Sequence, residues 1–136
     1  MAARAGATAG DGRPRPGLVR RLVERLTKEA HELEAGELLD TSVREGATPI
    51  AECEPRRRTT VLGEVRSVAI RPKAQVAALV VEIYDGSKAM ELVWLGRRAI
   101  AGIEPGVRLR VHGRMTLRRG IPTIFNPAYE IVPARG

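Results

Sequence analysis

Apolar side chains recur at every second position through the C-terminal part of the sequence, from about residue 59 to residue 133. One segment shows the pattern clearly, because Leu79, Val81 and Ile83 are each separated by a single residue. Successive side chains of a strand point to opposite faces, so a period of two predicts strands with one buried face. We therefore expect an all-β region. Its core must be aliphatic, since the whole sequence holds only four aromatic residues.

Turns and phase breaks divide this region into five predicted strands. The first strand contains Gly63 and slips in phase near Ser67, which indicates a bulge that bends one long strand across two sides of a barrel. Asp85-Gly86 is a hairpin signal, and residues 96–104 form a short helix or coil between the third and fourth strands. Five strands with an insertion at that place is the order of the OB barrel. An SH3-like barrel also fits short alternating strands, but it explains the insertion less well.

The N-terminal part of the sequence follows a helical period instead. Residues three or four apart form one apolar stripe, namely Leu18, Leu22, Leu26, Ala30 and Leu33. A second short helix is expected from about 35 to 45, with Gly46 as its C-terminal cap. We predict a mainly β protein with a disordered tail at 1–17, a helical arm of one or two helices at 18–46, a linker at 47–58 and a five-stranded OB barrel at 59–133.

Charge is distributed unevenly along the sequence, whose net charge is +7. Segment 1–28 carries +5, segment 29–54 carries −7, segment 55–58 carries +3 and segment 59–136 carries +6. A basic barrel favours a polyanionic ligand, and we expect the acidic segment to fold back and compete with that ligand. Twenty of the 23 basic residues are arginine, which is typical of a GC-rich bacterial genome and weakens arguments from any single arginine.

The sequence predicts neither an enzyme nor a metal or cofactor site. His31 and His112 are far apart, Cys53 has no neighbouring Cys or His to complete a zinc site, and no serine lies in a nucleophile motif. A single cysteine excludes an internal disulfide and fits a reduced cytoplasm, where we place the protein. No stretch is long and apolar enough to span a membrane, and the N-terminal tail lacks the apolar run of a secretory signal.

A series of short motifs in the barrel region resembles a known family. The motifs are, in order, Val61-x-Gly63-x-Val65, Tyr84-Asp85-Gly86, Glu91-Leu92-Val93-Trp94-Leu95, Ile103-Glu104-Pro105-Gly106, Val111-His112-Gly113-Arg114 and Asn126-Pro127-x-Tyr129-Glu130. Together they resemble the OB wedge domain of RecG DNA helicases, related anticodon-binding-type OB domains and small actinobacterial OB-fold proteins. The resemblance implies single-stranded or branched DNA as ligand. The sequence has no P-loop motif, so any contact with DNA would be passive.

An OB barrel that binds nucleic acid needs a basic groove and aromatic rings, formed by strands two and three and by two neighbouring loops. We predict that ten residues bind nucleic acid: Arg66, Arg71, Lys73, Tyr84, Lys88, Arg97, Arg98, Arg114, Arg118 and Arg119. Tyr84 is the predicted stacking residue because its parity is outward. Trp94 shares the parity of the core, and Phe125 cannot be assigned because prolines interrupt the pattern around it.

Strand parity leaves two binding surfaces open. Glu64, Glu82 and Glu91 point outward from the first three strands, where they would repel a polyanion. The fourth strand directs a basic row outward, made of Arg108, Arg110, His112 and Arg114. The leading hypothesis is a nucleic-acid-binding module with weak sequence preference, for DNA or for RNA. The alternative is a protein-interaction or scaffold module, in which the helices of 18–46 form a homodimer or dock a protein partner.

Overall fold

The structure is a computed structural model that describes residues 16–72 and 76–133. Contacts divide the chain into two units between Leu33 and Glu34. The elements are helix α1 (Pro16–Arg44), a 3-10 helix (Ile50–Glu52) and strands β1 (Arg58–Pro72), β2 (Ala77–Tyr84), β3 (Ala89–Leu95), β4 (Arg108–Arg118), β5 (Ile121–Phe125) and β6 (Ala128–Val132). Of the tail predicted at 1–17, residues 1–15 lie outside the described residues. The helix begins at Pro16, so positions 16 and 17 are helical and the predicted tail is too long by two residues.

Five of the strands close into a ring in the second unit. β1 pairs with β2 and with β4, β2 pairs with β3, and β5 pairs with β4, all antiparallel. β3 and β5 pair in parallel and complete the ring, whereas β6 extends the sheet beside β4. This order is that of the OB barrel, so the predicted mainly β fold with a five-stranded OB barrel is confirmed.

The long strand β1 reaches both of its partners by bending at a bulge. Its first half pairs with β4 and its second half with β2, and the register shifts between Val65 and Ser67. The predicted bulge near Ser67 is therefore confirmed. Beyond it, Val68 and Ile70 lie in the inward register as expected, but they are 37% and 50% exposed. These residues are exposed because this end of β1 pairs with β2 alone.

The barrel interior is filled by aliphatic side chains, as the composition requires. The largest fully buried strand residues of this core are Val61, Val65, Leu79, Val81, Ile83, Met90, Leu92, Leu109, Met115 and Ile124. Trp94 joins this core, where its indole nitrogen donates to the carbonyl oxygen of Pro127 at 3.2 Å. Its ring also meets Tyr129 edge-on, with centroids 5.8 Å apart. The predicted core role of Trp94 is confirmed, and this tryptophan is not a stacking platform.

Helix α1 is a single helix, although the sequence suggested a second one from about residue 35. Gly36 lies inside it, and a glycine in a helix interior costs only about 1 kcal/mol relative to alanine, which does not force a break. The helix ends where predicted, since Gly46 has a φ of 81° and its amide donates to the carbonyl of Val43.

The segment predicted as a linker packs against the barrel. Ile50 lies in the barrel core, and its amide donates to the carboxylate of Asp85 at 2.8 Å. The same carboxylate accepts the amides of Ser87 and Lys88, which closes the turn between β2 and β3. Asp85 therefore serves as a turn residue, as the sequence indicated, and it also anchors the 3-10 helix.

Candidate nucleic-acid interface

The outer faces of β2, β3 and β5 share an apolar floor. Val80 lies opposite Val93 in the register, and Val93 lies opposite Phe125 on β5. Ala78, Val80 and Val93 form a small buried cluster that is separate from the barrel core. Phe125 ends this row and is 40% exposed, so its ring forms the accessible edge of the floor.

Phe125 carries a guanidinium group over its ring. The central carbon of the Arg118 guanidinium lies 5.9 Å from the ring centroid. Arg118 pairs with Ile121 at the start of β5, whereas Phe125 ends the strand, so the arginine side chain reaches along β5. An exposed ring beside a cation is the combination on which single-stranded bases stack.

Arginines lie at both ends of β5. At its start, Arg119 and Gly120 have φ values of 54° and 80°, which form a two-residue hairpin turn with two left-handed positions. At its end, the side-chain oxygen of Asn126 accepts the amide of Leu95 at 3.0 Å and ties β5 to the end of β3. The exposed Arg97 and Arg98 follow β3 at this end.

Arg114 adds a further charge on the neighbouring strand. It directly precedes Met115, the partner of Ile124, and is exposed on the outer row of β4. We use the name β5 track for the set Arg97, Arg98, Arg114, Arg118, Arg119 and Phe125. None of its arginines forms an ion pair with a carboxylate in residues 16–72 or 76–133.

Two of the other predicted binding residues, Arg66 and Tyr84, are engaged with each other and with neighbouring groups of the protein. Arg66 contacts Glu64 and Glu34 at 3.4 and 3.5 Å, and its guanidinium lies 5.2 Å from the ring centroid of Tyr84. Tyr84 itself is half-buried, and its hydroxyl donates to the carbonyl oxygen of Gly86 at 3.3 Å. Tyr84 is less exposed than Phe125 and its hydroxyl is already bonded, so its ring is the less accessible of the two for stacking.

The remaining predicted residues are spread over the barrel. Arg71 pairs with Glu91 at 3.1 Å, which neutralises one of the outward glutamates. Lys88 is exposed in the turn between β2 and β3, and Lys73 lies outside the described residues. Glu82 is exposed opposite Glu91 on the outer face, as strand parity predicted.

The basic row of β4 is divided into two parts. Arg108 lies 3.9 Å from Glu45 and also donates to the carbonyl of Pro133, and Arg110 pairs with Glu130 at 2.6 Å. The two ion pairs neutralise the arginines in the part of β4 that pairs with β6. Arg114 lies beyond this part, opposite Arg58 of β1. Within the described residues, the arginine of this row without an ion pair is therefore Arg114, at the end next to Phe125.

Among the described residues, Cys53 is a titratable group whose pKa clearly departs from its ordinary value. Burial raises the pKa of its thiol, while a hydrogen bond with Thr59 lowers it and the nearby Asp85 and Glu52 raise it further. A raised pKa keeps the sulfur protonated at neutral pH, and the thiolate is the reactive form. Residues 16–72 and 76–133 contain no cluster of three metal-binding side chains, and no helix among them could cross a bilayer.

Sequence reasoning missed Phe125 because Pro122 and Pro127 break the alternation around it. The parallel register with β3 places the ring on the outer face, and no local pattern carries that information. Fold and surface together define a basic OB-barrel protein with an exposed aromatic ring between arginines.

Comparison with known proteins does not assign the chain to a family within this class. No family model and no curated protein matches the sequence. The chain is similar to one in a structure of a replication protein A heterotrimer bound to single-stranded DNA, with 17% identity, a TM-score of 0.46, and coverage of 68% of this chain and 79% of that one. Likeness at this level assigns no ligand to the present chain. The resemblance to RecG wedge domains stays a prediction.

Proposed function

We propose that the barrel binds single-stranded nucleic acid along the β5 track, as a non-enzymatic module with weak sequence preference. The observation that supports this most is the exposed Phe125 ring with the Arg118 guanidinium over it. A base stacks on such a ring whatever its identity, since every base has a flat aromatic face. The arginines at the two ends of β5 would contact phosphates on either side of that base.

The competing surfaces are less suitable for a polyanion. On β1, the contacts of Arg66 and Arg71 with glutamates already satisfy the cations. On β4, Arg108 and Arg110 are likewise paired with carboxylates. A phosphate would have to displace these partners, whereas the arginines of the β5 track have no such competitor among the described residues.

The first test is the Phe125→Ala variant. Loss of the stacked base should cost about 1–3 kcal/mol, or roughly a five- to hundred-fold rise in Kd for a single-stranded oligonucleotide. Fluorescence anisotropy with labelled single-stranded DNA, RNA, duplex and forked DNA, each at two salt concentrations, would measure it. Val43→Ala removes an exposed apolar side chain from α1 and serves as the control. Absence of wild-type binding to any of these ligands at low salt would refute the proposal.

Two double charge reversals distinguish the β5 track from the basic row of β4. Changing Arg97 and Arg98 to Glu should weaken binding and flatten the log–log salt slope by about 1.4, since each phosphate contact contributes about 0.7. Changing Arg108 and Arg110 to Glu should mainly lower stability, because Glu45 and Glu130 lose their partners. Loss of binding in the second variant alone would place the ligand on β4.

The second candidate function is a protein-interaction or scaffold module, and a specific feature of the first unit favours it. Leu18, Leu22, Leu26 and Leu33 are all more than half exposed on α1. A soluble protein rarely presents such a row without a partner. Branched DNA and RNA are further ligands that the same anisotropy series would detect.

A further inference from the structure

The first unit presents an apolar stripe on α1. The exposed apolar side chains of this stripe are Leu18, Val19, Leu22, Val23, Leu26 and Leu33, between 43% and 67% accessible. At 100° per residue they fall within a sector about 140° wide, together with Ala30. This width is that of a helix face which packs against another helix.

The polar flank beside this stripe is ordered by charge. Arg21, Arg25 and Glu32 lie outside the stripe on the side of Leu18, and Glu29 lies at the margin of the stripe, between the directions of Leu18 and Leu22. The two arginines are towards the start of the helix and the two glutamates towards its end. None of these four residues forms an ion pair with a described residue. The order also opposes the helix dipole, which favours acidic residues at the start of a helix and basic residues at its end.

We propose that two copies of the chain associate by antiparallel pairing of α1, centred near Leu26. In this arrangement Leu26 meets its own counterpart, Val19 meets Leu33 of the second copy and Val23 meets Ala30. Arg25 then lies at the edge of the contact beside Glu29 of the second copy, whereas Arg21 and Glu32 lie farther round the helix. Each basic helix start also lies beside an acidic helix end.

A parallel pair would not achieve this. In a parallel pair the charged flanks of the two copies lie on opposite sides of the contact, so Arg25 does not meet Glu29, and the two basic helix starts lie at the same end. The charge order of α1 therefore selects both the occupant of the stripe, a second copy, and its direction. The paired segment is short, and short helices are marginal on their own, so we expect a reversible dimer that forms at high protein concentration.

Sedimentation of the full-length chain, from low to several hundred micromolar, tests the association. The wild-type protein should pass from monomer to dimer over this range, and Leu26→Asp should remain monomeric. His31→Asp introduces the same charge on the polar side of the helix and should still dimerise. A wild-type chain that is monomeric at the highest concentration, or a Leu26→Asp chain that still dimerises, would overturn the proposal.

A charge-order reversal tests the direction. A variant with Arg21→Glu, Arg25→Glu, Glu29→Arg and Glu32→Arg keeps the net charge but reverses the flank. With antiparallel pairing it should dimerise with itself and exclude the wild-type chain, because like charges would then face each other in the mixed pair. With parallel pairing it would prefer the wild-type chain instead. Energy transfer between differently labelled wild-type and reversed chains separates these outcomes, and a preference for mixed dimers would reject the antiparallel arrangement.

Discussion

Arg119 combines an unfavourable backbone with a useful charge. Its φ of 54° lies in the left-handed region, which asparagine and glycine adopt more readily than arginine. The two-residue turn that it forms with Gly120 is of the kind in which Asn-Gly is preferred. The turn would therefore be more stable without this arginine, whereas the proposed β5 track needs its charge.

Arg119→Asn should separate these two effects. We expect a stability that is unchanged or higher by up to about 1 kcal/mol, because asparagine fits the turn. Binding to single-stranded DNA should weaken, with a salt slope smaller by about 0.7. Thermal melts and anisotropy titrations measure the two quantities. Arg56→Asn is the control, since Arg56 also has a positive φ, of 68°, but lies outside the track. Equal binding loss in both variants would argue for a nonspecific charge effect.

The environment of Cys53 makes a prediction about its reactivity. Burial, opposed by the Thr59 hydrogen bond and supported by Asp85 and Glu52, raises the pKa of the thiol in the folded chain. At pH about 8.5, the ordinary pKa of a cysteine, the folded protein should therefore react with iodoacetamide more slowly than the chain in urea. Mass spectrometry of timed samples gives both rates, corrected for the reactivity of free cysteine in the same urea. A folded-state rate equal to the corrected unfolded rate would contradict the assignment.

Because the pKa is raised on folding, the sign of the pH effect on stability is also fixed. The folded state is favoured while the thiol stays protonated in both states, below the pKa of the unfolded chain. The contribution is lost as the pH rises through the folded-state pKa. Cys53→Ser should remove this part of the alkaline decline in the free energy of unfolding.

At the scale of elements, the turn between β2 and β3 fits closely against the C-terminal part of α1. A side-chain carbon added at Gly86 would overlap the carbonyl oxygen of Ala35 and lie 2.8 Å from the amide nitrogen of Leu39. These are backbone atoms of a helix, which cannot yield as a flexible side chain can. The absence of a side chain at Gly86 is thus a condition for docking this part of α1.

Gly86→Ala should lower the free energy of unfolding by more than Gly106→Ala. Both glycines have nearly the same φ, 94° and 95°, so each substitution carries a similar backbone cost of about 1–2 kcal/mol. No atom lies within 4 Å of the added carbon at Gly106, which makes it a matched control. Urea denaturation of both variants yields the difference, which measures the docking contact. Equal losses would mean that the helix shifts without cost.

The sequence predicted most of the elements because their signals are local. The period of two, the slip near Ser67 and the cap at Gly46 depend on neighbouring residues, and all three agree with the structure. The contacts that it did not predict join distant segments. Ile50 enters the barrel core and Phe125 reaches the outer face through pairing with strands far away in the sequence. The contact of the Arg66 guanidinium with the Tyr84 ring depends in the same way on tertiary packing.

At the scale of the whole molecule, the boundary of the folded unit differs from the start of the barrel strands. The second unit begins at Glu34, and residues before β1 contribute to it, including the buried Ser42, Ala47 and Ile50. A truncated chain that starts at the first strand would therefore leave part of the barrel core uncovered.

Removal of residues 1–33 should leave the second unit folded, with a free energy of unfolding within about 0.5 kcal/mol of the full chain. Removal of residues 1–54 also deletes Ile50 and leaves Asp85 without one of its donors, which should cost about 2–5 kcal/mol or more. Urea unfolding followed by circular dichroism compares the two truncations. If the longer truncation were as stable as the shorter one, the contribution of Ile50 to the core would be disproved.

The closed ring of strands also has a consequence for how the barrel is made. β1, β2 and β3 are synthesised before β4 and β5, yet β1 needs β4 and β3 needs β5 to cover their free edges. Until those strands emerge from the ribosome, the nascent chain is a three-stranded meander with two open edges and an aliphatic face. Such a species can add strands from other chains. The slow step is the joining of strands that are distant in sequence, so the period in which the new chain is vulnerable to aggregation ends only when the ring closes.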